Sequence, residues 1–276
     1  MKDSKLIFKI KDNLSQILAL TENNIKLKLR YKIELVMKYI SPILLVFMPI
    51  IILRQFFVYN ASFYPWTIDN FLVYLILAYD INLITQIISN FPQQFSREKF
   101  WQTLPGLLIA PINRINLLLG LLLSHLILIS VPFIFFLVLC YIFFPISIIT
   151  FIFIIIIFLC ITLAISGIGL FFGVFAISNE SIYHILNFGT SLIIWLSCVT
   201  YPIQVFPKTV QNVINLNPIY YILELLRLAW IEDNVITTVV NHSLHIYILI
   251  FFTILLPLLS VLLFNKVFKK YGIKGY

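Results

Sequence analysis

The chain reads as an all-α polytopic membrane protein. It has six transmembrane helices, an N-terminal amphipathic interfacial helix, a re-entrant outer helical hairpin before the last span, and both ends in the cytoplasm. Three observations predict this. Of the 276 residues, 61% are hydrophobic and 11% charged, with a mean hydropathy of +1.03, whereas a soluble domain is roughly half apolar and about a quarter charged. The apolar residues gather in runs close to the about 20 residues that a helix needs to cross a hydrocarbon core about 30 Å thick. Finally, 16 of the 19 Lys and Arg residues fall on one side of the arrangement that these runs define, as expected when basic residues stay in the cytoplasm during insertion.

The excess apolar content is bulky, with 26 Phe against eight Gly, so it is suited to lipid rather than to disorder. A net charge of +8 in a soluble chain would point to nucleic acid; here its distribution among loops carries the information, and no nucleic-acid partner is expected. Cys140, Cys160 and Cys198 all sit in apolar runs, form no CxxC pair and leave an odd count. They predict neither a disulfide framework nor a zinc site and read as small core residues. His125, His184, His242 and His245 show no metal-ligand spacing. The first long apolar run starts near Tyr39, behind a lengthy polar segment, which argues against a cleavable signal peptide.

Taken in order, the chain forms one domain over 1–276, in which 1–36 is cytoplasmic or interfacial. Residues 14 to 36 place Leu14, Ile17, Leu18, Ile25, Leu29, Ile33 and Val36 at steps of three and four, with Lys26, Arg30 and Lys32 on other faces; this predicts a helix lying on the inner leaflet. Spans one to five occupy 37–201, at 37–58, 71–91, 115–143, 147–176 and 182–201. Arg54 in the outer end of the first must snorkel to the headgroups, and the third and fourth form a tight hairpin about Phe144 and Pro145. Residues 202–243 form the outer re-entrant region, and 244–276 the last span (244–264) with a basic tail. Nine Lys and Arg lie before Met48, three in the 92–116 loop and four in the tail, leaving Arg54, Lys208 and Arg227 outside.

The stretch 202–231 is too polar and broken to cross, with Pro202, Pro207, Asn217, Pro218, Glu224 and Arg227, yet too apolar for open water. Short half-inserted helices satisfy both limits, provided that they cap a protein-lined cavity rather than face lipid. Asp80, near the middle of the second span with Asn82 and Gln86 following, must face protein or water, because a central carboxylate costs about 2.5–3.5 kcal/mol on insertion scales. It lines a substrate path or bonds a neighbouring helix. Trp195, Tyr201, Tyr220, Tyr221 and Trp230 form an interfacial belt or offer stacking faces. Gly167, Gly169 and Gly173 permit close helix approach.

Three passages carry a resemblance. KLKLRYKIELVMKYISPILLVFMP at 26–49 sets a basic Arg-Tyr-Lys cluster before an apolar run ending in Pro. FSREKFWQTLPGLLIAPINRINLLLG at 95–120 has a Glu, a Thr-Leu, a small residue with Pro, an Arg and a Leu-Gly. FPKTVQNVINLNPIYYILELLR at 206–227 has Phe-Pro, Asn-Pro, aromatic and Arg. In their order and sidedness they resemble the membrane-spanning permease subunits of type-2 ATP-binding-cassette exporters over essentially the whole chain; one departure is Gln102, where the family usually has Gly before Thr-Leu.

No glycine here begins the G-x-x-x-x-G-K-[ST] loop that binds ATP phosphates, so ATP hydrolysis is expected on a separate subunit, and the resemblance implies a homodimer with two such ATPase subunits in the cytoplasmic membrane. The chain is expected to be no enzyme and to bind no cofactor or metal, ATP being held by the partner. Arg97, Glu98, Lys99, Phe100, Trp101, Gln102, Thr103 and Leu104 are expected to form a coupling helix seated in the ATPase. Asp80, Asn82, Trp195 and Tyr201 are candidates for the substrate path. Pro202, Phe206, Pro207, Asn217, Pro218, Tyr220 and Arg227 are candidates for an outer gate. The Arg-Tyr-Lys cluster resembles the branch that exports lipid-linked polysaccharides and polyol phosphates, with efflux of drugs or small amphiphiles as the alternative. An ion-coupled carrier would show inverted repeats or more intramembrane charge, and a lipid-modifying enzyme would need His, Asp, Glu or Cys converging at one depth. Neither pattern is visible in the sequence.

Overall fold

The structure, a computed structural model, describes residues 2–58, 65–67, 70–102, 113–178 and 180–271. Every regular element in them is helical: α1 (Lys2–Arg30), α2 (Lys32–Val58), α3 (Phe71–Phe100), α4 (Arg114–Phe143), α5 (Ile148–Ser178), α6 (Glu180–Trp195), α7 (Lys208–Ile214), α8 (Pro218–Glu232), α9 (Val235–Asn241) and α10 (Ser243–Tyr271). A single 3-10 turn, Ile203–Val205, precedes α7.

Among the described residues, four helices are long and apolar enough to cross a membrane, at Phe71–Glu98, Ile115–Phe143, Ile148–Phe175 and Ser243–Val267. They coincide with the second, third, fourth and sixth expected spans. The expected first span lies in α2, where several side chains, Arg54 among them, fall outside the described residues. The expected fifth lies in α6, whose 16 residues rise only about 24 Å.

Helix α5 is the axis of the bundle, packed against α3 on one side and α10 on the other. Its glycines allow this. A Cβ added at Gly167 would lie 2.6 Å from the backbone nitrogen of Pro257 in α10, and one at Gly169 would lie 2.9 Å from the carbonyl oxygen of Ile87 in α3. Gly173 takes the ring of Phe95, at 2.8 Å from its Cδ2. Hydroxyls follow the same close seams: Ser260 donates to Gly167 O at 2.6 Å and Thr253 to Cys160 O at 3.2 Å. Helix α4 packs on α3, α1 packs on α4, and α8 covers the ends of α5 and α10.

Three boundaries differ from the sequence reading. The first concerns α3, which does not end at 91 but runs through Pro92 to Phe100. The polar residues after Ile88 mark exit from the apolar layer rather than the end of the helix, because Phe95 remains buried beside Phe264 and Gly173. Second, the amphipathic helix of 14–36 breaks at Tyr31, so Ile33 and Val36 belong to α2. Third, α6 stops at Trp195 rather than at 201 and gives way to turns in which Cys198 adopts φ 53.

Helix α1 also has a second face. Leu14 and Leu18 are exposed, while Thr21 donates to Gly120 O at 3.2 Å and Asn116 donates to Asn13 and Gln16 at 2.8 and 2.9 Å. A leaflet-lying helix needs only an apolar stripe. This one is fastened to α4 as well.

A Gly167→Ala substitution should force α5 and α10 apart and cost about 1–3 kcal/mol. Gly189 has nothing within 4 Å of an added Cβ, so Gly189→Ala should be neutral or slightly stabilising. Thermal unfolding of the two purified variants checks the contrast; equal melting temperatures would contradict the close-seam reading.

Candidate functional site

Two polar stripes interrupt the apolar helices and face the same space. On α3, Asn82, Thr85, Gln86 and Ser89 recur at steps of three and four; on α6, Asn187, Thr190 and Ser191 do the same. Together with Pro49 of α2 and with Trp195, Tyr201 and Phe206 they line an open groove, about 1530 Å³ counted out to its mouth. Many of these polar atoms are satisfied by their own helix. Thr85 donates to Asn82 O at 2.9 Å, Ser89 to Gln86 O at 3.0 Å, and Thr190 and Ser191 to Asn187 O at 2.8 and 2.9 Å. The groove is therefore stable when empty of partners and still presents acceptor lone pairs to a guest.

Of the four substrate-path candidates, Asn82, Trp195 and Tyr201 share this groove. Asp80 does not. Two residues along a helix is a turn of about 200°, so Asp80 points away from Asn82 into the bundle, where it is 0% exposed. Neither of its carboxyl oxygens has a hydrogen-bond partner among the described residues. The neighbouring-helix bond considered for it is not seen among the described residues.

Beyond the end of α6 lies a clasp built on Arg227. Its side chain is 0% exposed. It donates to Cys198 O at 3.1 Å, to Val199 O, and to Glu224 Oε2 at 2.9 Å, and its guanidinium lies 3.9 Å from the ring centroid of Tyr74. Tyr74 in turn donates to Cys198 O at 2.8 Å. One cation thus ties the turn after α6 to α3 and α8, satisfying carbonyls that the turn leaves free.

The Asn-Pro pair has an equally local cause. Asn217 accepts from Ile219 N at 3.1 Å as the N-cap of α8, with Pro218 in its first turn. Its amide donates to Ile193 O and Ser197 Oγ at 3.1 and 2.9 Å. Phe206 and Tyr220 pack in a small cluster about Cys198 and Ile214, while Pro202 and Pro207 flank the 3-10 turn and the start of α7. The seven outer-gate candidates therefore gather in one region, with Pro202, Tyr220 and Arg227 buried, Phe206, Asn217 and Pro218 partly buried and Pro207 exposed. Of the proposed aromatic belt, Trp195 is exposed, but Tyr220 and Trp230 are buried and cannot face lipid or a stacking guest.

At the opposite end of the bundle, Arg97 pairs with Glu34 of α2 at 2.8 Å. Phe100 is 85% exposed and Trp101 46%. Gln102 takes φ 58, a left-handed conformation that glycine adopts without strain, which accounts physically for the glycine usual at this place in the resembled family. The Lys99 side chain, Thr103 and Leu104 lie outside the described residues.

A second cavity opens here between α1, α2, α3 and α4, with Lys28, Lys38, Arg97 and His125 in its wall. Gln86 belongs to the walls of both this cavity and the groove. Burial, and then the charge of Lys38, draws Lys28 down to about 7. Sequence reading missed this cavity, because its members come from four helices at unrelated spacings. It also missed Thr85, Ser89, Asn187, Thr190 and Ser191, although their helical spacing was a usable signal.

The family described as ABC-2 type transporter matches residues 15–230. No curated protein gives a significant match.

Arg227→Met should leave Glu224 and the Val199 carbonyl without their Arg227 donor, Cys198 O keeping Tyr74, and cost about 3–5 kcal/mol. Adding Glu224→Gln should recover part of it. Half-lives of the purified variants at a fixed elevated temperature check this, and an Arg227→Met variant as long-lived as the parent would contradict the clasp.

Proposed function

This chain belongs to the ABC-2 type transporter family, and on that premise we propose that two copies of it enclose a path for a lipid-linked glycan or similar amphipathic molecule leaving the cytoplasm. Membership makes it an integral membrane protein and a permease component of an ABC transporter, a kind of component that generally works with a separate ATPase. The finer reading rests on one observation above all: a polar groove running along α3 and α6 in an otherwise apolar bundle.

A hydroxyl- and amide-lined wall has no use against lipid. It suits a second copy of the same wall with a hydrated guest between them. Trp195 and Tyr201 at the groove's edge provide flat faces of the kind on which sugar rings stack. Efflux of a small amphiphile is a second reading, favoured by the apolar contribution of Val199, Ile194 and Phe206 to the same wall.

In this reading α2 and α6 complete six crossings with both chain ends inside. The cap formed by α7, α8 and the Arg227 clasp closes the outer end. The end of α3 projects into the cytoplasm, and the exposed Phe100 and Trp101 anchor in an apolar groove of the ATPase, with Glu98 setting orientation. The ion pair between Arg97 and Glu34 links that contact to α2, so ATP-driven movement of the α3 end is passed to a helix bordering the path. The coupling segment is thus a continuation of a spanning helix rather than a free loop.

Replacing Trp101 with Asp and Glu98 with Lys together should release the co-expressed ATP-binding-cassette subunit during purification while membrane insertion is retained. Co-purification at the parental level would contradict the contact.

A further inference from the structure

We propose that the cavity between α1, α2, α3 and α4 is a binding site for a phosphate group, the head of an anionic lipid being the source that its surroundings fit best. The proposal is independent of the cargo and of the ATPase.

The cavity concentrates cationic and donor groups. Lys28, Lys38, Arg97 and His125 line it, against the carboxylates of Glu34 and Glu98. Glu34 is engaged by Arg97 at 2.8 Å and by Lys38 at 3.8 Å, and Lys38 also donates to Asn90 Oδ1 at 3.0 Å. Among the described residues Lys28 makes no ion pair, and Glu34, whose charge acts on it from further away, is already held by Arg97 and Lys38. The one hydrogen-bond partner of Lys28 among the described residues is Nδ1 of His125, at 2.6 Å. With Lys28 as donor to Nδ1, the histidine carries its own proton on Nε2. That atom is buried without a partner in the described residues, and His125 is 2% exposed.

Three cations, Lys28, Lys38 and Arg97, therefore share one cavity wall with two carboxylates, Glu34 and Glu98. Crowding like charges in a partly buried site is costly. One ligand with several acceptor oxygens and negative charge offsets that excess, and phosphate esters meet that description. Burial and the neighbouring Lys38 lower the pKa of Lys28, and a bound anion would favour its ammonium form.

Position selects the lipid source. Tyr31 and Trp101 are at once exposed and part of the cavity wall, so the mouth lies between the α1–α2 elbow and the end of α3. The surface next to it carries the exposed apolar side chains Leu27, Ile33, Met37 and Ile40. A phosphate in the pocket can thus keep its acyl chains along apolar protein surface. Aromatic side chains at that level suit the headgroup boundary, and a basic site there attracts anionic lipid.

The test uses the purified full-length chain in a neutral detergent. Phosphatidylglycerol, phosphatidylcholine and inorganic pyrophosphate are each titrated, read by melting temperature and by ligand retained in native mass spectra. One phosphatidylglycerol per chain should be retained and should raise the melting temperature, with phosphatidylcholine at least tenfold weaker. Lys28→Gln and Lys38→Gln should each weaken binding at least tenfold, Lys28→Arg should preserve it, and Lys266→Gln on the exposed side of α10 should leave it unchanged. Using two neutralising variants keeps the test decisive if one fails to fold. Saturation by pyrophosphate with the same dependence on Lys28 would support the phosphate site and assign a free anion as its source. Equal binding of both lipids, lipid binding indifferent to Lys28 and Lys38, or no binding of any probe would overturn the proposal.

Discussion

A polar group that lies in the apolar layer has to find its partner inside the bundle, because lipid offers none. Most of the architecture follows from that constraint. The hydroxyls of α3 and α6 turn back onto carbonyls of their own helices, and those of α10 reach carbonyls of α5. Where the chain leaves helical geometry after Trp195, a buried arginine supplies the missing donors. Where α4, α8 and α9 begin, Asn113, Asn217 and Asn234 cap their first backbone N–H groups. Even the turn between α4 and α5 is held this way, with Ser147 N donating to Asp233 at 2.7 Å.

Places where the constraint is relaxed are those to which function is assigned. The groove presents more polar surface than its own helices need, and the basic cavity concentrates three cations in one wall. Asp80 is enclosed and without a partner among the described residues, and nothing in the structure explains it. The groove and the cavity share Gln86, whose amide donates to Lys38 O at 3.3 Å. One helix, α3, therefore carries the wall of the groove, the wall of the cavity and the exposed aromatic end. Its packing on α5 through Gly169 and Gly173 leaves it little freedom to bend independently, so in the proposed coupling a displacement at Trp101 would move it as a rigid element.

Helix identity and most boundaries were legible in the sequence, since runs of Ile, Leu and Phe of membrane-crossing length have few other readings. The break after the fifth expected span was legible too: the prolines and asparagines of 202–231 predict short helices there, and α7 and α8 are such helices. What escaped was whatever depends on neighbours brought from afar. Pro92 with its polar followers looked like the start of a loop, but Phe95 finds a seat between Gly173 and Phe264 that no local pattern reveals. Lys28 looked like one more basic residue of an interfacial helix. Its distinction comes from lying against His125, 97 residues away. Asp80 and Asn82 were grouped by closeness along the chain, although helical geometry sets them on opposite faces.

Sidedness is the claim on which the functional account turns: the basic end with Trp101 must be cytoplasmic and the α7–α8 cap external. Single cysteines at Trp101 and Lys208, in a background with Cys140, Cys160 and Cys198 replaced, can be exposed to a membrane-impermeant maleimide. The account predicts modification at 208 in intact cells and at 101 only after permeabilisation. Modification at 101 in intact cells would contradict it.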